Sequence, residues 1–139
     1  MIFQTEIALP PLSQGCHLIT HLIEKHLFSS LKTLPQCGML HIFLKHTSAG
    51  LTLNENADPT VRYDFENMMN RIVPESHQYE HDMEGADDMP AHLKSSLVGS
   101  SLMLPISNGM LNMGTWQGVY LCEFRNRGGS RKLVLTVWS

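Results

Sequence analysis

Cysteine is scarce in this chain. The three that occur, Cys16, Cys37 and Cys122, are far apart and odd in number, which argues against a disulfide framework and for a reducing compartment. Positive charge is in short supply too: 10 Lys and Arg against 13 Asp and Glu give a formal net charge of −3 at pH 7. That balance offers nothing to nucleic acid or to an anionic membrane surface. No apolar run approaches the length of a membrane span. The opening MIFQTEIALPPL lacks the basic region and long apolar stretch of a signal peptide, so a cytoplasmic protein is expected. There is no H-E-x-x-H, no closely spaced cysteine pair, no Gly-rich phosphate loop and no Asp-rich magnesium motif. Nor is there a fixed repeat period or a linker-like tract. The 139 residues therefore read as a single domain, long enough for a hydrophobic core of its own.

What is present is an acidic, histidine-bearing stretch in an otherwise core-rich chain. His81–His92, written HDMEGADDMPAH, holds two histidines and the carboxylates of Asp82, Glu84, Asp87 and Asp88, with Glu80 just outside. Imidazole nitrogens and carboxylate oxygens are common ligands for borderline metals such as zinc. A solvated acidic connection has the same composition, so the surrounding pattern decides between the two readings.

Ile2–Leu9 reads as a strand, halted by Pro10-Pro11 and suited to a sheet edge. Gly15–Ile19 follows as a short strand. Thr20 caps a predicted helix reaching about Leu34, with Ile23, Leu27, Leu31 and Leu34 at helical spacing. In the strand Gly38–His46, the two-residue alternation puts Leu40, Ile42, Leu44 and then His46 on one face. The imidazole is thereby aimed along the buried side at the strand's end. Thr47-Ser48-Ala49-Gly50 is a turn of small residues whose amides and hydroxyls suit an anionic group, and Leu51–Glu55 is a short strand. Asp58-Pro59 starts a helix whose stripe of Val61, Phe65, Met68, Met69 and Ile72 should pack inward. Asp88 and Pro90 start another, running to about Val98 and closed by Gly99, with His92 in its first turn. Asn108-Gly109 marks a hairpin between Ser101–Ile106 and Met110–Met113. Val119–Arg125 and Lys132–Trp138 complete the strands, joined through Gly128-Gly129. The fold class is α+β, a mostly antiparallel sheet or sandwich with about three helices.

The stretches HTSAGLTLNENADPTVRYDFE (His46–Glu66), HDMEGADDMPAHLKSSLVGSSLMLPISNGML (His81–Leu111) and GTWQGVYLCEFRNRGGSRKLVLTV (Gly114–Val137) together resemble the YjbQ family, in its order and along nearly the whole chain. GCHLIT (Gly15–Thr20) resembles its N-terminal pattern. The resemblance implies a homotrimer and a histidine pocket able to hold a metal ion. It also implies a secondary thiamine-phosphate synthase activity, in which a hydroxymethylpyrimidine diphosphate is joined to a thiazole phosphate with loss of diphosphate. By the same resemblance His46, His81, Glu84 and His92 carry over to the site. Asn54, Glu55, Asn56 and Asp58 carry over as pocket candidates, and Trp116, Gln117 and Glu123 join them. The family often has Asn where this chain has Asp88 or its neighbour, which leaves Asp88 outside the expected metal shell.

The candidate metal ligands are therefore His46, His81 and His92, three nitrogens with one position open for chemistry. Zinc is the first choice of ion and magnesium the alternative. Glu84 and Asp87 are candidates to orient a ligand histidine or to act as general base. Glu123, a carboxylate in an apolar strand, is either a pocket acid or the partner of Arg125 or Arg131. Thr47, Ser48, Asn54, Asn56, Trp116 and Gln117 are the candidate substrate contacts. Trp116 suits stacking on a flat heterocycle and equally suits subunit packing. Arg62, Arg125, Arg127 and Arg131 are candidate phosphate grips or plain surface charges. Cys122 reads as a small core residue. The expected partner is a small phosphorylated or heterocyclic metabolite. Two competing readings are a trimeric metabolite-binding protein without turnover, and a metal-dependent hydrolase for which thiamine-phosphate formation is a side reaction.

Overall fold

Two antiparallel sheets carry the structure, described here from a computed structural model of residues 1–139. The elements in chain order are β1 (Ile2–Ala8), β2 (Gly15–Leu18), α1 (Thr20–Ser30), β3 (Cys37–Leu44), β4 (Ala49–Glu55), α2 (Pro59–Ile72), α3 (Asp88–Val98), β5 (Ser101–Ser107), β6 (Met110–Leu111), β7 (Gln117–Glu123) and β8 (Lys132–Trp138). The larger sheet has the order β1-β8-β3-β5-β6, and the smaller one β2-β7-β4. β1 is an edge strand, as the double proline after it suggests. The β5–β6 hairpin turns at Asn108-Gly109, both at positive φ, which this turn chemistry permits.

Alternation builds the core between the sheets. Leu40, Ile42 and Leu44 of β3 meet Leu133, Leu135 and Val137 of β8, and Leu51, Val119 and Leu121 face them from the smaller sheet. α1 adds Ile23 and Leu27, both fully buried. β7 is the middle strand of the smaller sheet and is buried on both faces. Its second face presents Tyr120 and Cys122, which with Phe124 pack against Ala91 of α3 and Phe65 of α2.

Three local expectations need correction. α1 stops at Ser30 rather than near Leu34. Leu34 precedes Pro35, which disfavours helical backbone there, and outside the helix it reaches the core at 4% exposure. Thr20 does not cap α1 with its side chain; its hydroxyl accepts the Val119 N–H at 2.8 Å instead and ties the helix start to β7. The α2 stripe is only partly covered. Val61, Phe65 and Met69, four residues apart, lie on the packed side, whereas Met68 and Ile72 remain 51% and 61% exposed. The start of α2 is as expected: Asp58 accepts from Thr60 N–H at 2.9 Å, with Pro59 in the first turn.

Candidate metal centre

The chain between α2 and α3 folds back so that its acidic stretch lies over the start of α3. Asp88, at that start, is 1% exposed, and His92 follows one helical turn later on the same side. His92 Nε2 lies 3.2 Å from Asp88 Oδ2, and His81 Nε2 reaches the same oxygen at 2.8 Å. The two imidazoles stand 5.6 Å apart between centroids. Glu84 completes the group, 4.0 Å from His81 Nε2 and largely open to solvent. One ligand atom from each of His81, Glu84, Asp88 and His92 lies within 4.8 Å of every other.

Hydrogen bonding fixes what these atoms can do. The Thr47 carbonyl lies 2.8 Å from His92 Nδ1 and can only accept, so Nδ1 carries the proton. In the neutral ring Nε2 is then a bare lone pair facing a carboxylate oxygen. Two acceptors at that distance call for a positive charge between or beside them, either a proton or a cation. The donor set of two imidazoles and two carboxylates fits a divalent ion of zinc's class better than magnesium, which prefers oxygen ligands and retained waters. Ligand atoms around tetrahedral zinc sit roughly 3.3 Å apart, given bonds of about 2.0–2.1 Å. The Asp88–His81 and Asp88–His92 separations already approach that spacing, and exposed Glu84 stands at the solvent side of the group.

Arg125 holds the centre from behind. Its guanidinium donates to Asp88 Oδ1 at 2.6 Å, to Asp87 Oδ2 at 3.1 Å and to the Glu84 carbonyl at 2.9 Å. Burial alone would raise the Asp88 carboxyl, but the groups of His81 and Glu84 and the charges of His92 and Arg125 outweigh it and hold it below the ordinary range. Asp87 is likewise held low against its burial, by the Asn126 N–H and by Arg125.

The family model for UPF0047 protein YjbQ-like matches residues 5–139. The chain belongs to the YjbQ family. It is 52% identical to the UPF0047 protein YjbQ of Salmonella typhimurium and 49% identical to that of Escherichia coli O157:H7, each over 99% of this chain and 98% of the relative. Among solved structures, it superposes on an uncharacterized conserved YjbQ/UPF0047 protein of Clostridium acetobutylicum with a TM-score of 0.77 at 35% identity, covering 99% of both chains. A conserved hypothetical protein of Thermus thermophilus gives 0.79 at 32% identity, covering 94% of this chain and 97% of that one.

Within this YjbQ fold the residues singled out in the sequence separate into groups. His81, His92 and Glu84 converge. His46 does not join them: β3 ends at Leu44, and His46 Nε2 accepts the Lys132 N–H at 2.9 Å, continuing the ladder to β8 with its side chain. Burial, then the charge of Arg131, lowers its basicity. It still borders a cavity of about 310 Å³ with Thr47, His92, Ser95, Ser96 and Ser100. Asp88, left outside the expected shell, is the carboxylate both histidines touch. Asp87 is a brace for Arg125 rather than a free base. Glu123 is fully buried and paired through both oxygens with Arg131, at 2.7 and 2.6 Å, the ion-pair alternative of the two expected. Arg131 also takes the Ser48 hydroxyl at 2.9 Å, which removes it from substrate contact. Arg125 and Arg131 are thus both committed internally.

The remaining candidates lie elsewhere in the chain. β4 runs from Ala49, beside the site, to Glu55, and six steps of about 3.3 Å separate its ends by roughly 20 Å. Asn54 and Asn56 are at the far end. Asn56 donates to the carbonyls of Thr115 and Gln117, and Gln117 accepts from Gly114 N–H, so these amides shape a turn. Trp116 projects from that turn at 63% exposure. Sequence reading missed Asp88 and Arg125 as parts of the centre. The Asp88–His92 spacing of four on one helix was the available signal for the first; the second is a contact between residues 37 apart in sequence and left no local trace.

Proposed function

We propose that His81, Asp88 and His92 hold a divalent metal ion, zinc foremost, with Glu84 beside it at the open position, and that the protein is a metal-assisted enzyme acting on a small phosphorylated or heterocyclic metabolite. The observation that carries this is the convergence of His81 Nε2 and His92 Nε2 on one buried Asp88 oxygen, with His92 Nδ1 committed to the Thr47 carbonyl. A bound ion would supply Lewis-acid chemistry, neutralising charge on a phosphoryl or carbonyl oxygen. The chain's own residues do the rest. Arg125 fixes the carboxylate, the Thr47 carbonyl fixes the His92 tautomer, and exposed Glu84 is placed to take a proton at the solvent side. The cavity beside His92 is lined by hydroxyls and imidazoles, and the charges of Lys132 and Lys45 near His46 favour an anionic substrate group there. Diphosphate departure in thiamine-phosphate formation fits this arrangement as a secondary reaction. The three free thiols suit a cytoplasmic setting, and no helix is long and apolar enough to cross a membrane.

Metal analysis of the untagged protein tests the proposal, with near-stoichiometric zinc as the expected result. His81→Ala should lower zinc affinity at least about tenfold, and turnover of the two thiamine precursors should stop with chelator. A metal-free protein that takes up no zinc in titration calorimetry would end this reading. The solvent-facing position of Glu84 keeps a hydrolase as the second reading, and phosphate esters, amides and lactones assayed with and without chelator separate the two.

We further propose that the active form is the homotrimer implied by the family resemblance. Large apolar side chains lie open on several surfaces: Phe43 and Met103 on the outer face of the larger sheet, Tyr63, Met68 and Ile72 on α2, and Trp116 at the far turn. In a closed ring two different patches of the chain meet, and the pairing proposed sets the exposed turn of Asn54, Asn56, Trp116 and Gln117 against a neighbour's metal centre. Sedimentation at micromolar concentration should give a trimer; a monomer alone would overturn the shared site.

A further inference from the structure

A second reactive centre lies on the opposite side of α3 from the cavity beside His92, and the metal proposal makes no use of it. Cys16 of β2 and Cys122 of β7 are direct cross-strand partners, with sulfurs 3.1 Å apart and both thiols free. Ile19 N–H donates to Val119 O, so that facing pair is hydrogen-bonded. Counting back along the ladder makes Cys16 and Cys122 a non-hydrogen-bonded pair, the class whose side chains approach most closely, at Cα separations of about 4.5 Å. That separation falls within the range a disulfide spans, about 4.4–6.8 Å. The two thiols differ in access. Cys122 is fully buried, whereas Cys16 is partly exposed and lines a small cavity with Gln14, Glu66, Asn70 and Lys94. The cavity measures about 40 Å³. A water requires about 10–15 Å³ on such a measure, so the space admits a molecule of very few heavy atoms. Lys94, itself 2% exposed, donates to Asn70 Oδ1 at 2.6 Å and has N–H bonds left for a second acceptor.

We infer that Cys16 and Cys122 form a peroxide-reactive dithiol, with Cys16 as the attacking sulfur, Cys122 as the resolving one, and the cavity beside Lys94 as the seat of the oxidant. The Cys16 thiolate attacks one oxygen of hydrogen peroxide, the O–O bond breaks, and the departing oxygen takes a proton and leaves as water. The Cys122 sulfur then attacks the Cys16 sulfenic acid. The S–O bond breaks, and hydroxide leaves as water with the proton of the Cys122 thiol. Two thiols lose two electrons in all, and one peroxide becomes two waters. Cys122 stays protonated until that step, because its hydrogen bond with Cys16 and its burial hold it well above the usual thiol range.

The test uses the full reduced chain, limiting hydrogen peroxide and peptide mapping without reductant. A linked Cys16–Cys122 peptide with Cys37 still alkylatable is expected, although Cys37 is the exposed thiol. Cys122→Ser should trap a sulfenic acid on Cys16 with dimedone, and Cys16→Ser should leave Cys122 reduced. Cumene hydroperoxide, too bulky for the cavity, should react at least about tenfold more slowly with the unaltered chain. Preferential oxidation of Cys37, or Cys16 over-oxidised with no linked peptide, overturns the dithiol. Equal rates with the two peroxides overturn the role of the cavity. If either serine variant fails to fold, mapping and the peroxide comparison on the unaltered chain decide alone.

Discussion

Asp88→Ala should abolish measurable zinc binding, a larger loss than the roughly 10–100-fold that removal of an outer partner costs. The carboxylate is the one group both His81 and His92 touch, and it is nearly sealed from solvent. Without it the imidazoles have no shared oxygen and Arg125 loses its shortest bond, at 2.6 Å. Asp87→Ala provides the contrast. It leaves every proposed ligand in place and removes only the brace on Arg125 and the Asn126 N–H contact, so its effect belongs in that 10–100-fold range. Calorimetric zinc titrations of the two variants, with circular dichroism to confirm folding, make the comparison. Equal losses would mean that Asp88 is a structural acid and not a ligand.

Arg131→Ala carries the largest expected cost in stability. It strands Glu123, which has no exposure at all, and breaking a buried ion pair by removing one member costs about 3–5 kcal/mol. For a domain of this size that is a fall in Tm of roughly 10–20 °C. Replacing both members, Glu123→Leu with Arg131→Met, should recover much of the loss, because no charge is then left buried. Zinc affinity should fall with Arg131→Ala as well. Arg131 grips Ser48 through its hydroxyl and carbonyl, and the adjacent Thr47 carbonyl sets the His92 tautomer. A melting shift under about 2 °C would show that the pair contributes nothing net.

Much of the fold could be read in the chain because its signals are local. Asp58-Pro59, Asn108-Gly109, Pro10-Pro11 and the alternation in β3 each act within a few residues, and each appears where it was expected. The metal centre was legible by half. His81, Glu84 and His92 lie in one short segment, so loop closure alone brings them near. His46 lies outside the His81, Glu84, Asp88 and His92 group, its Nε2 taken by the Lys132 N–H, a contact that two-residue alternation does not announce. Glu123 was ambiguous because a buried carboxylate needs a partner, and whether that partner is Arg125 or Arg131 depends on how β7 turns into β8. The Cys16–Cys122 approach had no local signal, since the two stand 106 positions apart in sequence.

Adjacent positions on one strand, and one just past its end, have been assigned unrelated duties: Cys122 to the thiol facing β2, Glu123 to the buried pair, Arg125 to the acidic end of α3. Because neighbouring side chains on a strand leave on opposite sides, inserting a single residue early in β7 would swap these assignments rather than displace them. The thiol would enter the inter-sheet layer and the carboxylate would face α2. Lineages of this fold should therefore tolerate length changes in the α2–α3 connection far more readily than in this strand.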